Sequence, residues 1–277
     1  GPDIEDTLNG YMEQANAADL FVLAGYGLSD EDQAEIKQEN ADVEFGYFVD
    51  TVVADTPSAI RVFSQTKDIS TFELVSGEFP TKSNEVALAS TMADQYKIGD
   101  TIRLNESGSA TLLKEHELTI TGFVNSSELL SKTIKGVSSA GSGDLSGFAV
   151  VPKDAFDSEV YTIARLRYPD LRKWKTTSRE YADKVTELQQ ALEEKLADNG
   201  TKRLDTLKTT ADDKISEGKE KIADAKSQLS DAEKKLADGK SEIEKNEKKL
   251  SDGQKEVDSN EATIASGDAQ LNAAWNQ

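Results

Sequence analysis

Apolar positions in the last quarter of the chain recur every seven residues, from Ala211 to Ala274. One series is large and aliphatic: Ile215, Ile222, Leu229, Leu236, Ile243, Leu250, Val257, Ile264 and Leu271. The other is small: Ala211, Gly218, Ala225, Ala232, Gly239, Asn246, Gly253, Asn260, Gly267 and Ala274. Large to small is three residues and small to large is four, the spacing of heptad a and d positions. Most residues between them are Lys, Glu, Asp, Ser or Gln. A heptad period sustained this long predicts one helix in a left-handed coiled coil. At about 1.5 Å per residue it would reach roughly 95 Å.

The seam also indicates what kind of coil is expected. Large residues at both a and d would give ordinary zipper spacing. Here every second layer is Gly, Ala or Asn, so two backbones can approach closely, and a large residue on one helix can face a small one on an antiparallel neighbour. Each seam glycine costs a helix about 1 kcal/mol relative to Ala, and close approach would justify that cost. Asn246 and Asn260 are polar layers of the type that fix register. Glu217–Lys221, Asp231–Lys235 and Glu244–Lys248 are spaced as i,i+4 pairs on a solvated face. One helix cannot bury such a stripe alone, and no second heptad run occurs in the 277 residues. The expected partner is a returning antiparallel helix of a longer chain or a second copy, with Trp275 near a hairpin tip.

Upstream, the patterning is that of an α+β domain. Asp3–Ala15 reads as a helix with Ile4, Leu8, Tyr11 and Met12 on one face. Ala18–Ala24 reads as a central strand, and Ser29 with Asp32 starts a helix to about Asn40. Val43–Ala54 alternates as one strand, and Ala59–Ser64 follows as another. From Glu73 to Phe156 short strands are expected at Glu85–Ala89, Thr101–Leu104, Leu118–Val124 and Gly147–Val151, with a short helix near Ser90–Tyr96. Val137–Gly147 is Ser/Gly-rich and reads as a mobile loop. Val160–Tyr168 is a strand, and Thr176–Leu196 an amphipathic helix that Asn199-Gly200 should stop. Lys202–Leu207 is expected as a last strand. The strand–helix–strand units at the two ends would pair around the insert. That divides the chain into 1–75 with 158–207, an inserted β-rich 76–157, and an arm at 208–277.

The formal net charge is −20, to which residues 201–277 contribute about −3 from 17 acids against 14 bases. The globular part is therefore strongly acidic, which argues against nucleic-acid binding. Cysteine is absent, which removes disulfides, thiol catalysis and Cys-based zinc sites. No apolar run in these residues is long enough to span a bilayer, and no signal peptide is expected among them. The chain ends with the heptad still in phase, as an excised piece of a longer protein would.

Candidate chemistry is thin. Ser64-Gln-Thr-Lys67 spells the Ser-x-x-Lys of serine β-lactamases, but that chemistry needs the Ser at a buried helix start. Here the motif follows a strand and enters a polar turn. Asp30, Glu31 and Asp32 suit a helix N-terminus better than a metal. His116 is the only histidine, and it reads as a surface residue before a strand. Gly141-Ser-Gly143 lacks the Lys of a phosphate loop. No catalytic, metal or cofactor site is expected.

One stretch carries a resemblance. Val75–Leu104 has Gly77 and Pro80 in a turn, Asn84-Glu85-Val86 opening a strand, then a short helix and Gly99-Asp100 before the next strand. This resembles the extracytoplasmic domain of FtsX-like and MacB-like ABC transporter permeases. Gly1-Pro2-Asp3-Ile4 resembles the segment after the first transmembrane helix of Gram-positive members. Some of those carry a long coiled coil of the flavour seen at Lys234–Gly239. The resemblance covers roughly residues 1–207, and the family's returning helix and second transmembrane segment are missing from this sequence. It implies a porter-like split β-α-β subdomain with an inserted β-rich subdomain and a coiled-coil arm. It also implies a non-enzymatic domain on the extracellular face of the plasma membrane. A cognate ATPase subunit would act through the membrane part, and an extracellular protein or peptide would be the partner. A cell-surface coiled-coil scaffold or adhesin is the alternative.

Overall fold

A computed structural model describes residues 2–106, 111–130 and 144–276. Most of the Ser/Gly-rich loop lies outside the described residues, while Leu145–Gly147 is strand. The chain divides into two compact units, residues 1–206 and 207–277.

The first unit holds two sheets. Helix α1 (Pro2–Gln14) leads to strand β1 (Leu20–Leu23), helix α2 (Asp30–Lys37) and strand β2 (Asp42–Gly46). Strand β10 (Ile163–Arg167) returns much later and pairs antiparallel with both, giving the order β1-β10-β2. This joins the two ends of the unit across the intervening segment. β1 lies on an edge and β10 at the centre, which corrects the central placement expected for 18–24. An apolar run alone does not distinguish a central strand from an edge strand backed by helices.

The capping box at α2 forms as its sequence requires. The Asp32 N–H donates to Ser29 Oγ at 3.0 Å, and the Ser29 N–H donates to Asp32 Oδ2 at 2.9 Å. On one face of the small sheet, Leu20, Ala164 and Leu166 pack with Leu28 and Ile36 around α2 and with Leu192 of the third helix.

The larger sheet comprises β3 (Phe48–Val53), β4 (Ala59–Ser64), β5 (Glu73–Gly77), β6 (Glu85–Ala89), β7 (Thr101–Glu106), β8 (Glu117–Asn125) and β9 (Leu145–Val151). Its order is β5-β8-β6-β9-β4-β3-β7, and β7 also pairs with β8. Six strands therefore close on themselves around Ile60, Val62, Val86, Leu88, Ile120, Phe148 and Val150, and closure removes most free edges. β5 is exposed along its length, so its Glu/Ser pattern gave it no strand signal.

Sheet membership does not follow the expected boundary at residue 75. β3 and β4 belong to the larger sheet, because all six residues of β4 are buried and need neighbours on both sides. The expected single strand Val43–Ala54 is accordingly two strands in different sheets. The chain crosses at Gly46-Tyr47, where the Tyr47 N–H donates to Ser64 Oγ at 2.9 Å. A Cβ on Gly46 would stand 2.9 Å from that same oxygen, so the crossing needs a glycine. The alternation Val43, Phe45, Tyr47, Val49 runs on through the switch and hides it.

Helix α3 (Arg179–Trp275) runs 97 residues without a break. The stop expected at Asn199-Gly200 and the strand at Lys202–Leu207 do not occur. Asn199 is buried, and its amide donates to Glu35 Oε2 at 3.1 Å, so it anchors the helix to α2 instead of capping it. Gly200 then costs about 1 kcal/mol within the continuous helix. At its start, Ser178 Oγ accepts the Tyr181 N–H at 3.2 Å.

Candidate partner-binding seam

In the second unit every large residue of the heptad series stands out in solvent. Exposure runs from 50% at Val257 to 76% at Leu250, and Trp275 reaches 88%. A soluble surface rarely keeps so long a contiguous apolar stripe uncovered. The small layers are equally open: a Cβ added to Gly218, Gly239, Gly253 or Gly267 would meet nothing within 4 Å. Among the described residues no contact calls for glycine at those four sites, although each weakens the helix. Glu217–Lys221, Asp231–Lys235 and Glu244–Lys248 do not close to ion-pair distance, and Lys255 reaches Asp252 at 4.0 Å. Exposed charges on a long helix gain little by closing.

The first unit shows where the sequence candidates fall. Ser64 ends β4, buried, with Oγ bound to the Tyr47 backbone, while Lys67 is exposed and its N–H donates to Glu44 Oε2 at 2.9 Å. The motif is a strand end and a carboxylate-capped turn, without the helix start a Ser-Lys base pair requires. Asp32 is used up in the capping box. His116 meets the buried Glu106 carboxylate at 2.6 Å, and that carboxylate also accepts the Leu112 N–H at 2.7 Å. It holds a turn. Among the described residues no group of three potential ligands gathers for a metal, and no helix is long and apolar enough to cross a membrane.

The residues that carry the family resemblance have local work to do. Gly77 ends β5 with φ +75, and a Cβ there would lie 2.3 Å from the Thr121 carbonyl oxygen. Gly99 has φ +94, its N–H donates to the Ile120 carbonyl at 2.8 Å, and Asp100 Oδ2 accepts the Lys97 N–H at 3.0 Å. The Glu85 carboxylate accepts the Lys82 N–H at 2.9 Å, and the Asn84 carbonyl accepts the Thr119 N–H at 2.8 Å. Together they shape turns around β6 and β8.

Two features were not legible beforehand. Asp19 gathers the Arg172 guanidinium, the Tyr181 hydroxyl at 2.5 Å and the Tyr168 N–H at 2.7 Å. Burial first, and then the Asp19 carboxylate, push the Tyr181 phenol well above its ordinary value; burial and Glu39 do the same to Tyr168. Beside this cluster an apolar groove of about 800 Å³ follows β1, lined by Leu8, Met12, Leu20, Val22, Val185 and Leu192. Reading β1 as a central strand concealed the groove, since only an edge strand leaves such a trough.

No family model and no curated protein matches the chain. Two solved structures are similar at low level. One is the extracellular domain of the noncanonical ABC-type transporter YknZ from Gram-positive bacteria, at 11% identity and TM-score 0.33, with 61% of this chain and 92% of that one covered. The other is a domain of a putative permease protein from Porphyromonas gingivalis, at 13% identity and TM-score 0.25, covering 62% and 70%. Superpositions this loose carry no weight for function.

Proposed function

We propose that this chain is the non-catalytic extracellular domain of an ABC transporter permease of the FtsX-like and MacB-like kind, with residues 208–277 as a partner-binding arm. Cytoplasmic ATP hydrolysis by a cognate ATPase subunit would be transmitted to this domain, moving a substrate or acting on a cell-envelope partner. The observation that carries the reading is the solvent-exposed seam, nine large aliphatics alternating with small layers that no contact among the described residues uses. A helix lying antiparallel along it, from the same longer chain or a second copy, supplies the missing face. Support for the permease kind comes from Gly77, Pro80, Asn84-Glu85-Val86 and Gly99-Asp100, placed at the turns around β6 and β8. A cell-surface scaffold using the arm as a stalk is the second reading, favoured by the same exposed seam.

The test is to express the full-length gene product in membranes with its ATPase subunit and assay ATP-dependent activity. Leu236→Asp with Ile243→Asp should abolish coupling while leaving the subunits assembled. A full-length product that partitions with the cell wall and binds no ATPase subunit would establish the scaffold instead.

A further inference from the structure

Charge along the arm is polarised, and the polarity matches the arm's own reverse. The positions bordering the seam between residues 214 and 240 are basic: Lys214, Lys219, Lys221, Lys226, Lys235 and Lys240, with Glu233 the one acid. Between 242 and 268 the same positions hold Glu242, Glu247, Glu256, Glu261 and Asp268, with Lys249 the one base. All these side chains are exposed, so the polarity is available to a partner.

From the seam and these flanks we infer that the arm pairs antiparallel with a second copy of itself, in one register centred on residue 241. In that register Ile215 faces Gly267, Ile243 faces Gly239 and Leu271 faces Ala211 of the other copy. Every layer between follows the same rule, so all nine large residues meet a small one. A parallel in-register pair would instead alternate large–large with small–small layers, which no single interhelical distance can satisfy. The antiparallel register also lays each basic half against an acidic half. Lys219 falls between Glu261 and Asp268, Lys221 beside Glu256, and Lys235 beside Glu242. The repulsive approaches are Glu233–Glu247, Lys235–Lys249, Lys240–Lys240 and Glu242–Glu242 in the middle and Asp212–Asp268 at the ends. Sliding one copy by a heptad toward Ala274 also seats all nine large residues on small ones, with Ile215 on Ala274, so the register rests on the basic and acidic stretches, which mirror each other about residue 241. The four open glycines then have a use, as the places where the second backbone comes close.

This inference rests on the reading of the seam as a partner-binding surface and adds the partner, orientation and register. The chain has no cysteine, so introduced ones report without background. Leu236→Cys with Asn246→Cys on the 277-residue chain places the pair in one layer of the proposed dimer. Within one helix they are about 15 Å apart, too far for a disulfide. Oxidation should give a covalent dimer from the double variant and none from either single variant, with a dimer by sedimentation at tens of micromolar. A disulfide from Leu236→Cys alone, a crosslink of Leu236→Cys with Gly253→Cys in place of Asn246→Cys, or a monomer by sedimentation overturns it. As a second check, Lys219→Glu/Lys226→Glu chains and Glu261→Lys/Asp268→Lys chains should each fail to self-pair and should dimerise when mixed. If the chain is monomeric while Leu236→Asp/Ile243→Asp still uncouples the membrane protein, self-pairing fails and the partner-binding reading stands.

Discussion

Arg165 is among the largest fully buried side chains of the first unit. It lies in the central strand of the small sheet, with its side chain 1% exposed. Its guanidinium sits 5.4 Å from the ring centroid of Phe63 in the larger sheet. Nε donates to Glu128 Oε1 at 2.6 Å, and the Glu128 side chain is 2% exposed. Nη2 is buried without a partner. Replacing the arginine with methionine keeps most of the volume and takes the guanidinium away from a buried carboxylate. Breaking one half of a buried pair typically costs about 3–5 kcal/mol. For a unit of this size each kcal/mol lowers Tm by roughly 2–4 °C, so Arg165→Met should lower it by roughly 6–20 °C. Arg165→Met with Glu128→Leu removes both charges and should recover most of the loss, because an apolar pair of matched volume is often neutral or better. Fluorescence of Trp174 follows the first unit if Trp275 in the arm is changed to Phe, since these are the two tryptophans. A single variant that loses less than about 1 kcal/mol, or a double variant as unstable as the single, would show that the pair is not what couples the sheets.

Gly77→Ala should destabilise the first unit by about 2–4 kcal/mol, since it combines a left-handed backbone with a Cβ pressed on a carbonyl; chemical denaturation with unchanged m would confirm it, and wild-type stability would refute it. Tyr181 and Tyr168 have folded-state pKa values raised above 10.0, by burial first and then by Asp19 and Glu39. Their neutral forms therefore contribute stability that is fully present below pH 10 and is lost as pH climbs above it. Tm should fall steeply above about pH 10, and Tyr181→Phe with Tyr168→Phe should flatten that fall; an unchanged slope would refute the assignment.

The arm was legible as a helix, because its apolar positions keep a seven-residue period over more than sixty residues. The capping box at Ser29 and the strands Ala59–Ser64 and Glu85–Ala89 were legible for similar local reasons. What escaped was non-local. Gly46-Tyr47 looks like the middle of a strand until Ser64, distant in sequence, takes the Tyr47 N–H. Asn199-Gly200 looks like a helix stop until Glu35 claims the asparagine. Leu20–Leu23 looks central until its neighbours are counted. The seam residues could be named from sequence, but their exposure could not.

The stitching of α1, and of Asp19 beyond it, to the residues that precede α3 sets a load path. Lys175 Nζ meets Asp6 Oδ1 at 2.9 Å, the Thr176 N–H donates to Asn9 Oδ1 at 3.1 Å, and Arg172 closes on Asp19. Partners in the first two contacts are 169 and 167 residues apart in sequence. A pull on the N-terminal helix is therefore delivered to the root of the long helix by side chains in parallel, bypassing the closed ring of strands. Under tension the exposed Asp6–Lys175 link yields first, because water competes for both charges. The buried Asp19 cluster bears the remainder, which makes that single carboxylate the last hold of the linkage.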